Sequence, residues 1–167
     1  YLTTGIIVMA KAAVEDKEAV VRTAAVNALA KTSYEGLVEL CKDRIQKDSS
    51  FNVIGAALKT LNAKNPTEAL ALTTELEKLK SGNIDVILAE IYVENENERA
   101  FEFMKESILS GRVTGFNEVG MLNLLTTYGA KAGVDELDKV IDVMKVVDVD
   151  GGMYAKMFIK SNFDYLL

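Results

Sequence analysis

Apolar residues recur every three or four positions along most of the chain, and this spacing predicts a series of α-helices. No segment shows the strict alternation of apolar and polar residues that is typical of a strand. The nearest candidate is "GRVTGF" at residues 111–116, where we expect a loop. Short connections between the apolar stripes favour antiparallel neighbours. The pattern predicts about ten helices, at residues 2–14, 17–31, 34–46, 50–63, 66–79, 83–93, 97–110, 115–128, 134–147 and 152–165.

Capping residues mark several of the predicted helix starts. Asn65 precedes Pro66, which suits a first helical position, and Glu68 completes the spacing of a capping box. Two further pairs have the same cap-x-x-Glu spacing, and two aspartates are also predicted as N-caps: Thr32 with Glu35, Asn95 with Glu98, Asp16, and Asp48.

The stretch "DKEAVVRTAAVNALA" from residue 16 has a second copy, "DSSFNVIGAALKTLN", from residue 48. At this offset of 32 the aligned residues are Asp16 and Asp48, Val21 and Val53, Ala24 and Ala56, Ala25 and Ala57, Val26 and Leu58, and Leu29 and Leu61. A further step brings Ala57 to Ala89, with Val86 and Ile87 near the expected apolar positions. We expect a buried face of small residues at Val21, Ala24, Ala25, Ala28 and Leu29. Such a period predicts a helical repeat, in which stacked copies cover one another; an ordinary helical bundle is the alternative.

Composition narrows the range of functions. The chain of 167 residues has a net charge of −6, which disfavours non-specific binding of nucleic acids, and we expect no nucleic-acid partner. No apolar run approaches 18 residues, so we expect no membrane span. Cys41 is the single cysteine, so no internal disulfide can form, and the compartment stays open.

The chain contains no histidine. This excludes acid–base chemistry by histidine, every catalytic triad that uses it, and the usual zinc ligand sets. We predict no catalytic, cofactor-binding or metal-binding residue in this chain. The first residue is Tyr1 and "YLTTGIIVMA" lacks the basic region of a signal peptide. We expect one domain spanning residues 1–167, as a C-terminal piece of a longer protein.

The repeat resembles the HEAT-repeat consensus, which has an acid at the helix start and a Val-Arg pair inside the second helix. The residues that carry this resemblance are Asp16, Val21, Arg22, Ala25, Ala28 and Leu29. The resemblance implies an all-α fold, a right-handed superhelix of antiparallel helix pairs. In HEAT repeats the acid and the arginine link adjacent units, but Ile54 stands where the second arginine would be. We therefore expect this ladder to be broken at the second copy.

A narrower resemblance covers the run from "DSSFNVIGAALKTL" at residue 48 through "NPTEALAL" to "AEIYVENENERAFEFM". This run is similar to the C-terminal helical domain of bacterial aminopeptidase-N-type zinc metallopeptidases. The resemblance implies a non-catalytic domain that covers a catalytic domain and restricts substrate access. The zinc would then be bound by the catalytic domain of the parent, because the H-E-x-x-H helix is missing here. This resemblance is the only indication that the parent protein is an enzyme.

Several groups were weighed as sites. Asp148 and Asp150, in "VVDVDGG", suggest a calcium loop, but position 12 is Ile159, so a helix–helix turn is the better interpretation. The acidic "ENENE" at 94–98 is interpreted as a solvated turn, with amine or cation binding as the alternative. Cys41 is expected in the core, and "SGRVTG", with glycines at 111 and 115, lacks the residues of a phosphate loop. Aromatic residues are expected mostly in the core of the C-terminal half: Phe101, Phe103, Phe116, Tyr128, Tyr154, Phe158, Phe163 and Tyr165.

Three functions follow from these patterns. The first is the C-terminal domain of a zinc aminopeptidase, whose partner is the catalytic domain of the same polypeptide. The second is a free-standing HEAT-repeat scaffold that binds another protein. The third, a helical-repeat DNA glycosylase, is disfavoured by the acidic charge. The final apolar segment, "SNFDYLL", either packs as the last helix or belongs to an interface.

Overall fold

The computed structural model describes residues 2–163, with all side chains in that range except those of residues 2, 3, 134 and 135. These residues form ten α-helices and no strand, which confirms the all-α prediction. The helices are α1 Leu2–Ala13, α2 Ala19–Ala30, α3 Leu37–Lys47, α4 Phe51–Lys64, α5 Pro66–Glu77, α6 Gly82–Glu94, α7 Ala100–Leu109, α8 Phe116–Ala132, α9 Val134–Asp150 and α10 Met153–Phe163. The predicted end of the last helix at residue 165, and Tyr165 itself, lie outside the described residues.

The chain divides into two compact units. The first unit ends at Thr74 and the second begins at Glu75, so the division falls within α5. In the first unit, α2 packs against α1 and α4, and α3 packs against α4. Its core is apolar, and each fully buried leucine or valine contributes roughly 1.5–3 kcal/mol to folding. The residues without exposed surface include Val26, Leu29, Cys41, Val53, Ala57, Leu58 and Leu61.

The 32-residue register is present in the structure of the first unit. Helix α2 begins at Ala19 and α4 at Phe51, 32 residues later. Ahead of α2, Oδ1 of Asp16 accepts a hydrogen bond of 2.8 Å from the backbone N–H of Glu18. The two predicted aspartate N-caps are therefore displaced: each aspartate closes a turn two residues before the residue that caps the helix. In the second copy Asp48 accepts from the N–H of Ser50 at 2.9 Å.

The predicted buried face of α2 was only partly right, because Val21 and Ala28 are half-buried. Ala24 is exposed, and the buried stripe consists of Ala25, Val26 and Leu29. At 3.6 residues per turn, Ala24 and Val26 point about 200° apart, so both cannot face the core. Arg22 falls on the edge of the buried stripe, three residues before Ala25.

The capping box at α5 is confirmed, because the N–H of Glu68 donates to Asn65 Oδ1 at 3.3 Å and Asn65 Nδ2 donates to Glu68 Oε1 at 2.8 Å. The other two predicted boxes were wrong. Thr32 accepts from the N–H of Tyr34, and α3 begins only at Leu37. Asn95 instead ends α6, where its Nδ2 donates to the carbonyl of Ile91. The hydroxyl of Thr32 also donates to the carbonyl of Leu29 in α2. Both residues therefore satisfy carbonyls of the helix before them, a use that the cap-x-x-Glu spacing does not distinguish.

In the second unit the even-numbered helices pack in sequence, α6 against α8 and α8 against α10. Helix α7 packs against α6, α8 and α9, and α9 packs against α8 and α10. Asn83 and Asn117, the second residues of α6 and α8, are joined by a side-chain hydrogen bond of 2.8 Å. The fully buried side chains include Ile84, Leu88, Ala89, Phe103, Met121, Leu122 and Leu125.

Candidate functional site

Polar contacts between an even-numbered helix and the loop ahead of the next even-numbered helix recur along the chain. The first is a bidentate pair between Arg22 of α2 and Asp48, two residues before the cap of α4. Arg22 Nε and Nη2 lie 2.7 Å from Asp48 Oδ2 and Oδ1. The hydrogen bond from Arg22 lowers the pKa of Asp48, against the opposing effect of partial burial. Nη1 of Arg22 also donates to the carbonyl of Asp16, which fastens the turn ahead of α2.

The second contact joins α6 to the loop ahead of α8. Asp85 has no exposed surface, and its Oδ2 lies 3.3 Å from Nε of Arg112. The hydroxyl of Ser107 donates to the same carboxylate oxygen at 3.3 Å and accepts from Nη2 of Arg112 at 2.9 Å. Burial raises the pKa of Asp85, although the charge of Arg112 and the hydrogen bond from Ser107 act in the opposite direction. The guanidinium also lies over the ring of Phe103.

The third contact joins α8 to the loop ahead of α10. Glu118 is 6% exposed, and its Oε1 accepts a hydrogen bond of 3.3 Å from the backbone N–H of Gly152. A Cβ atom at residue 152 would lie 2.6 Å from Oε2 of Glu118, so the glycine allows the loop to approach the carboxylate this closely. Just before this loop, the acidic residue Asp150 ends α9 and lines the same cavity as Glu118.

These contacts occupy equivalent places in the helices. Arg22 and Asp85 each follow the cap of their helix by four residues, and Glu118 follows its cap by three. Each of the three reaches the loop ahead of the next even-numbered helix. The first contact sets a cation on the helix against an anion on the loop, and the second reverses these charges. Only the third places two acids, Glu118 and Asp150, around one space.

Glu118 and Asp150 line a cavity of about 410 Å³, which we call the Glu118 cavity. Its apolar wall comes from the end of α7 and the last turns of α9: Ile108, Leu109, Val146 and Val147. Glycines form part of its rim, and Gly111 and Gly115 adopt positive φ of 71° and 59°, so L side chains would be strained there.

Exposed apolar side chains lie close in the chain to the residues that line this cavity, and we call them the α8–α10 surface: Phe116, Val149, Met153, Tyr154 and Met157. Phe116, next to Gly115 in the chain, is 79% exposed, and its ring stacks on that of Tyr154 at 5.0 Å. Met153 and Met157 lie one turn apart on α10 and are 66% and 59% exposed. Clustered exposed apolar residues of this kind are typical of interaction surfaces.

Two segments considered as sites from the sequence are "VVDVDGG" and the loop at residues 111–116. The helix–helix turn predicted at "VVDVDGG" is confirmed at Gly151 and Gly152, but α9 continues through Asp148 to Asp150, beyond its predicted end at residue 147. Continuous helix holds the two aspartates two positions apart, so they do not converge as loop ligands do. The loop predicted at 111–116 is confirmed up to Gly115, after which α8 begins.

Two other predictions concern the acidic segment and the cysteine. The "ENENE" segment spans the end of α6 and a turn that lines a separate cavity with Tyr128 and Lys131. Cys41 is buried as predicted, and burial raises the pKa of its thiol to about 11.

The aromatic prediction was partly wrong. Phe101 and Phe103 are in the core, whereas Phe116 and Tyr154 are exposed. Glu118 was not predicted as a site from the sequence, because an acid in the first turn of a helix is common enough to carry no signal by itself.

Within residues 2–163, no cluster of three or more acids or cysteines is arranged to hold a metal ion. Over the same residues, none of the helices is long and apolar enough to cross a membrane. The chain matches no protein-family model, and no curated protein or solved structure is significantly similar to it. The resemblances to HEAT repeats and to the aminopeptidase domain therefore stay predictions from the sequence.

Proposed function

We propose that this chain is a non-catalytic, HEAT-like helical-repeat domain that acts by docking on another protein. The observation that carries the proposal is the α8–α10 surface, where Phe116 and Met153 are mostly exposed beside a cavity. Exposing these side chains to water is unfavourable, and a partner that covers them removes this cost.

We further propose that the helices form a right-handed superhelix of antiparallel pairs. The contacts of α2 with α4, of α6 with α8 and of α8 with α10 support this arrangement. The equivalent placement of Arg22 and Asp85 supports it as well, because repeats that stack with a constant rotation bring equivalent residues to equivalent neighbours.

The partner suggested by the sequence resemblance is the catalytic domain of an aminopeptidase-N-type zinc metallopeptidase. In this proposal the chain is the C-terminal helical domain of that enzyme, and it restricts the access of substrates to a zinc site carried elsewhere in the polypeptide. The alternative is a free-standing scaffold that binds another protein, which the exposed α8–α10 surface supports equally well.

The reading frame ahead of residue 1 separates these two partners. The peptidase proposal expects an H-E-x-x-H helix there, followed by a third zinc ligand. The complete protein should then be compared with a form that lacks residues 1–167, using peptides of increasing length. We expect removal of the domain to increase the relative rate on long peptides. An unchanged length dependence, or an upstream sequence of further helical repeats, would exclude the peptidase function.

A paired substitution tests docking itself. Phe116→Ser with Met157→Ser removes two exposed apolar groups, and Val20→Ser is the control because Val20 is 74% exposed in the first unit. We expect the paired variant to weaken association with the catalytic domain, or with the scaffold's partner, while the control does not. Equal affinities for both variants, measured by sedimentation, would place docking on a different surface.

A further inference from the structure

The three helix–loop contacts differ in how their charges are balanced. In the first unit the helix residue Arg22 is met by Asp48, and in the second unit Asp85 of α6 is met by Arg112. The third contact has Glu118 on the helix, and the residue three before α10, the position at which Asp48 precedes α4, is Asp150. A cation therefore pairs with the acid at the first two contacts, whereas no cation pairs with Glu118 among the described residues. The ammonium of Lys156 on α10 donates instead to the carbonyl of Val149, the residue before Asp150, at 2.7 Å.

Glu118 is 6% exposed against none for Asp85, and its carboxylate has fewer partners. Across the described part of the chain, its one hydrogen bond is from the N–H of Gly152, and it forms no ion pair. A buried carboxylate is normally paired with a cation because removing its charge from water is costly. The second contact shows how this fold supplies that cation, since Arg112 lies against Asp85.

The Glu118 cavity has the shape and the walls that a basic side chain needs. Val146 and Val147 offer apolar surface to an aliphatic stem, while Glu118 and Asp150 offer carboxylate oxygens to a cationic head. A volume of about 410 Å³ holds a guanidinium and its stem with room for water. Gly111 and Gly115, which have positive φ, line the cavity without a side chain.

We propose that the Glu118 cavity binds the guanidinium of an arginine side chain from a partner protein. The arginine completes at α8 and α10 the contact that Arg112 makes within the chain at α6 and α8. Its planar donors bind Glu118 Oε2 and Asp150 together, which an ammonium does less well. Apolar residues that flank this arginine in the partner cover the α8–α10 surface. The inference rests on the proposed docking function and names the chemistry of the docked segment.

The experiment is a titration of the isotope-labelled chain with N-acetylarginine amide, followed by nuclear magnetic resonance. The amide signals of Gly111, Gly115, Gly151 and Gly152 report on the cavity because these residues line it. We expect saturable shifts of these signals with the arginine probe, weaker ones with N-acetyllysine amide, and none with the uncharged N-acetylcitrulline amide.

Two matched variants separate the charge of Glu118 from its structural role. Glu118→Gln keeps an oxygen that accepts from the N–H of Gly152, so the loop keeps its contact while the negative charge is lost. We expect this variant to bind the arginine probe at least about tenfold more weakly. Glu98→Gln makes the same change in the separate cavity lined by the acidic turn after α6, and we expect it to bind like the unmodified chain.

Four results would overturn the proposal. They are equal binding of the citrulline and arginine probes, equal binding of the lysine and arginine probes, an unchanged affinity in Glu118→Gln, and no saturation below roughly 50 mM probe. A fifth result would overturn it as well: if Ca²⁺ shifts the same glycine signals and displaces the arginine probe, the cavity is assigned to a metal ion.

The two proposals fail separately. If the chain binds the arginine probe but the Phe116→Ser, Met157→Ser variant docks normally, the cavity stands and the docking surface is wrong. If that variant loses its partner while Glu118→Gln keeps it, docking stands and the arginine is wrong.

Discussion

Arg112 holds its Nε 3.3 Å from Oδ2 of Asp85, a carboxylate with no exposed surface. Breaking a buried pair by removing one partner leaves the other charge uncompensated. We expect Arg112→Met to lower the free energy of unfolding by about 3 kcal/mol at neutral pH. Urea unfolding followed by circular dichroism measures this change. In the double variant Asp85→Asn, Arg112→Met, the buried charge is gone, and we expect less than half of that loss; equal losses would mean that the packing of Arg112 on Phe103 dominates.

The raised pKa of Asp85 predicts a pH dependence of stability. Because the folded state holds the proton more tightly than the unfolded chain, this contribution is complete below the unfolded pKa and is lost as the pH rises through the folded pKa. We expect Asp85→Asn to remove this loss, so that its stability relative to the unmodified chain improves as the pH rises through that window. Thermal unfolding at a series of pH values measures the difference, and two parallel curves would contradict the prediction.

The lowered pKa of Asp48 predicts the opposite behaviour in the first unit. Its contribution is present above the ordinary pKa of an aspartate and is lost as the pH falls through the lowered folded value. We expect Arg22→Gln to destabilise the chain at neutral pH and to make the acid-induced loss of stability shallower. The control is Lys17→Gln, because Lys17 is an exposed cation with no effect on the pKa of Asp48. We expect this variant to lose stability at low pH as the unmodified chain does.

Substitution of glycine by alanine is expected to change the stability of the chain in opposite directions at two positions of α8. A Cβ at Gly120 would meet only Val86, at 4.0 Å, whereas a Cβ at Gly129 would lie 2.9 Å from Cγ2 of Val140. We expect Gly120→Ala to stabilise the chain by up to about 1 kcal/mol through helix propensity. Gly129→Ala should be destabilising by roughly 1–2 kcal/mol, since the valine must shift. Melting temperatures that move in the same direction for both would contradict this account of α8 and α9.

We expect Cys41 to react slowly with thiol reagents in the folded chain. The thiol is buried and its pKa is raised to about 11, so both access and the thiolate fraction are low at neutral pH. We expect labelling by a chromogenic disulfide to follow unfolding, with the rate rising as urea is added. Fast labelling in native buffer, at the rate found in full denaturant, would show that α3 opens readily.

Much of the fold was predictable because helix positions depend on local patterns. Apolar spacing located ten helices, and the proline and asparagine at the start of α5 identified their capping box. The cap-x-x-Glu spacing failed at Asn95, whose amide bonds the preceding helix instead of the following one. That choice depends on where α7 can pack, and a short spacing carries no information about packing.

The candidate site was much less predictable. Glu118 and Asp150 are 32 residues apart and line one cavity only because α8, α9 and α10 fold together. The predicted break of the ladder at Ile54 came from comparing residues at one fixed offset of 32 positions. A contact with reversed charges, such as that of Asp85 with Arg112, does not match a consensus that fixes which partner is the acid.

The carboxylate of Asp48 makes two contacts through one oxygen. Oδ1 accepts a hydrogen bond from the N–H of Ser50 and also lies 2.7 Å from Nη2 of Arg22. The same group thus closes the local turn that starts α4 and binds a residue 26 positions earlier in the chain. In the first unit, the same carboxylate therefore stabilises both the start of α4 and the contact of α4 with α2. Such coupling makes folding of neighbouring repeats cooperative, because neither helix gains the full benefit of this carboxylate until both are in place.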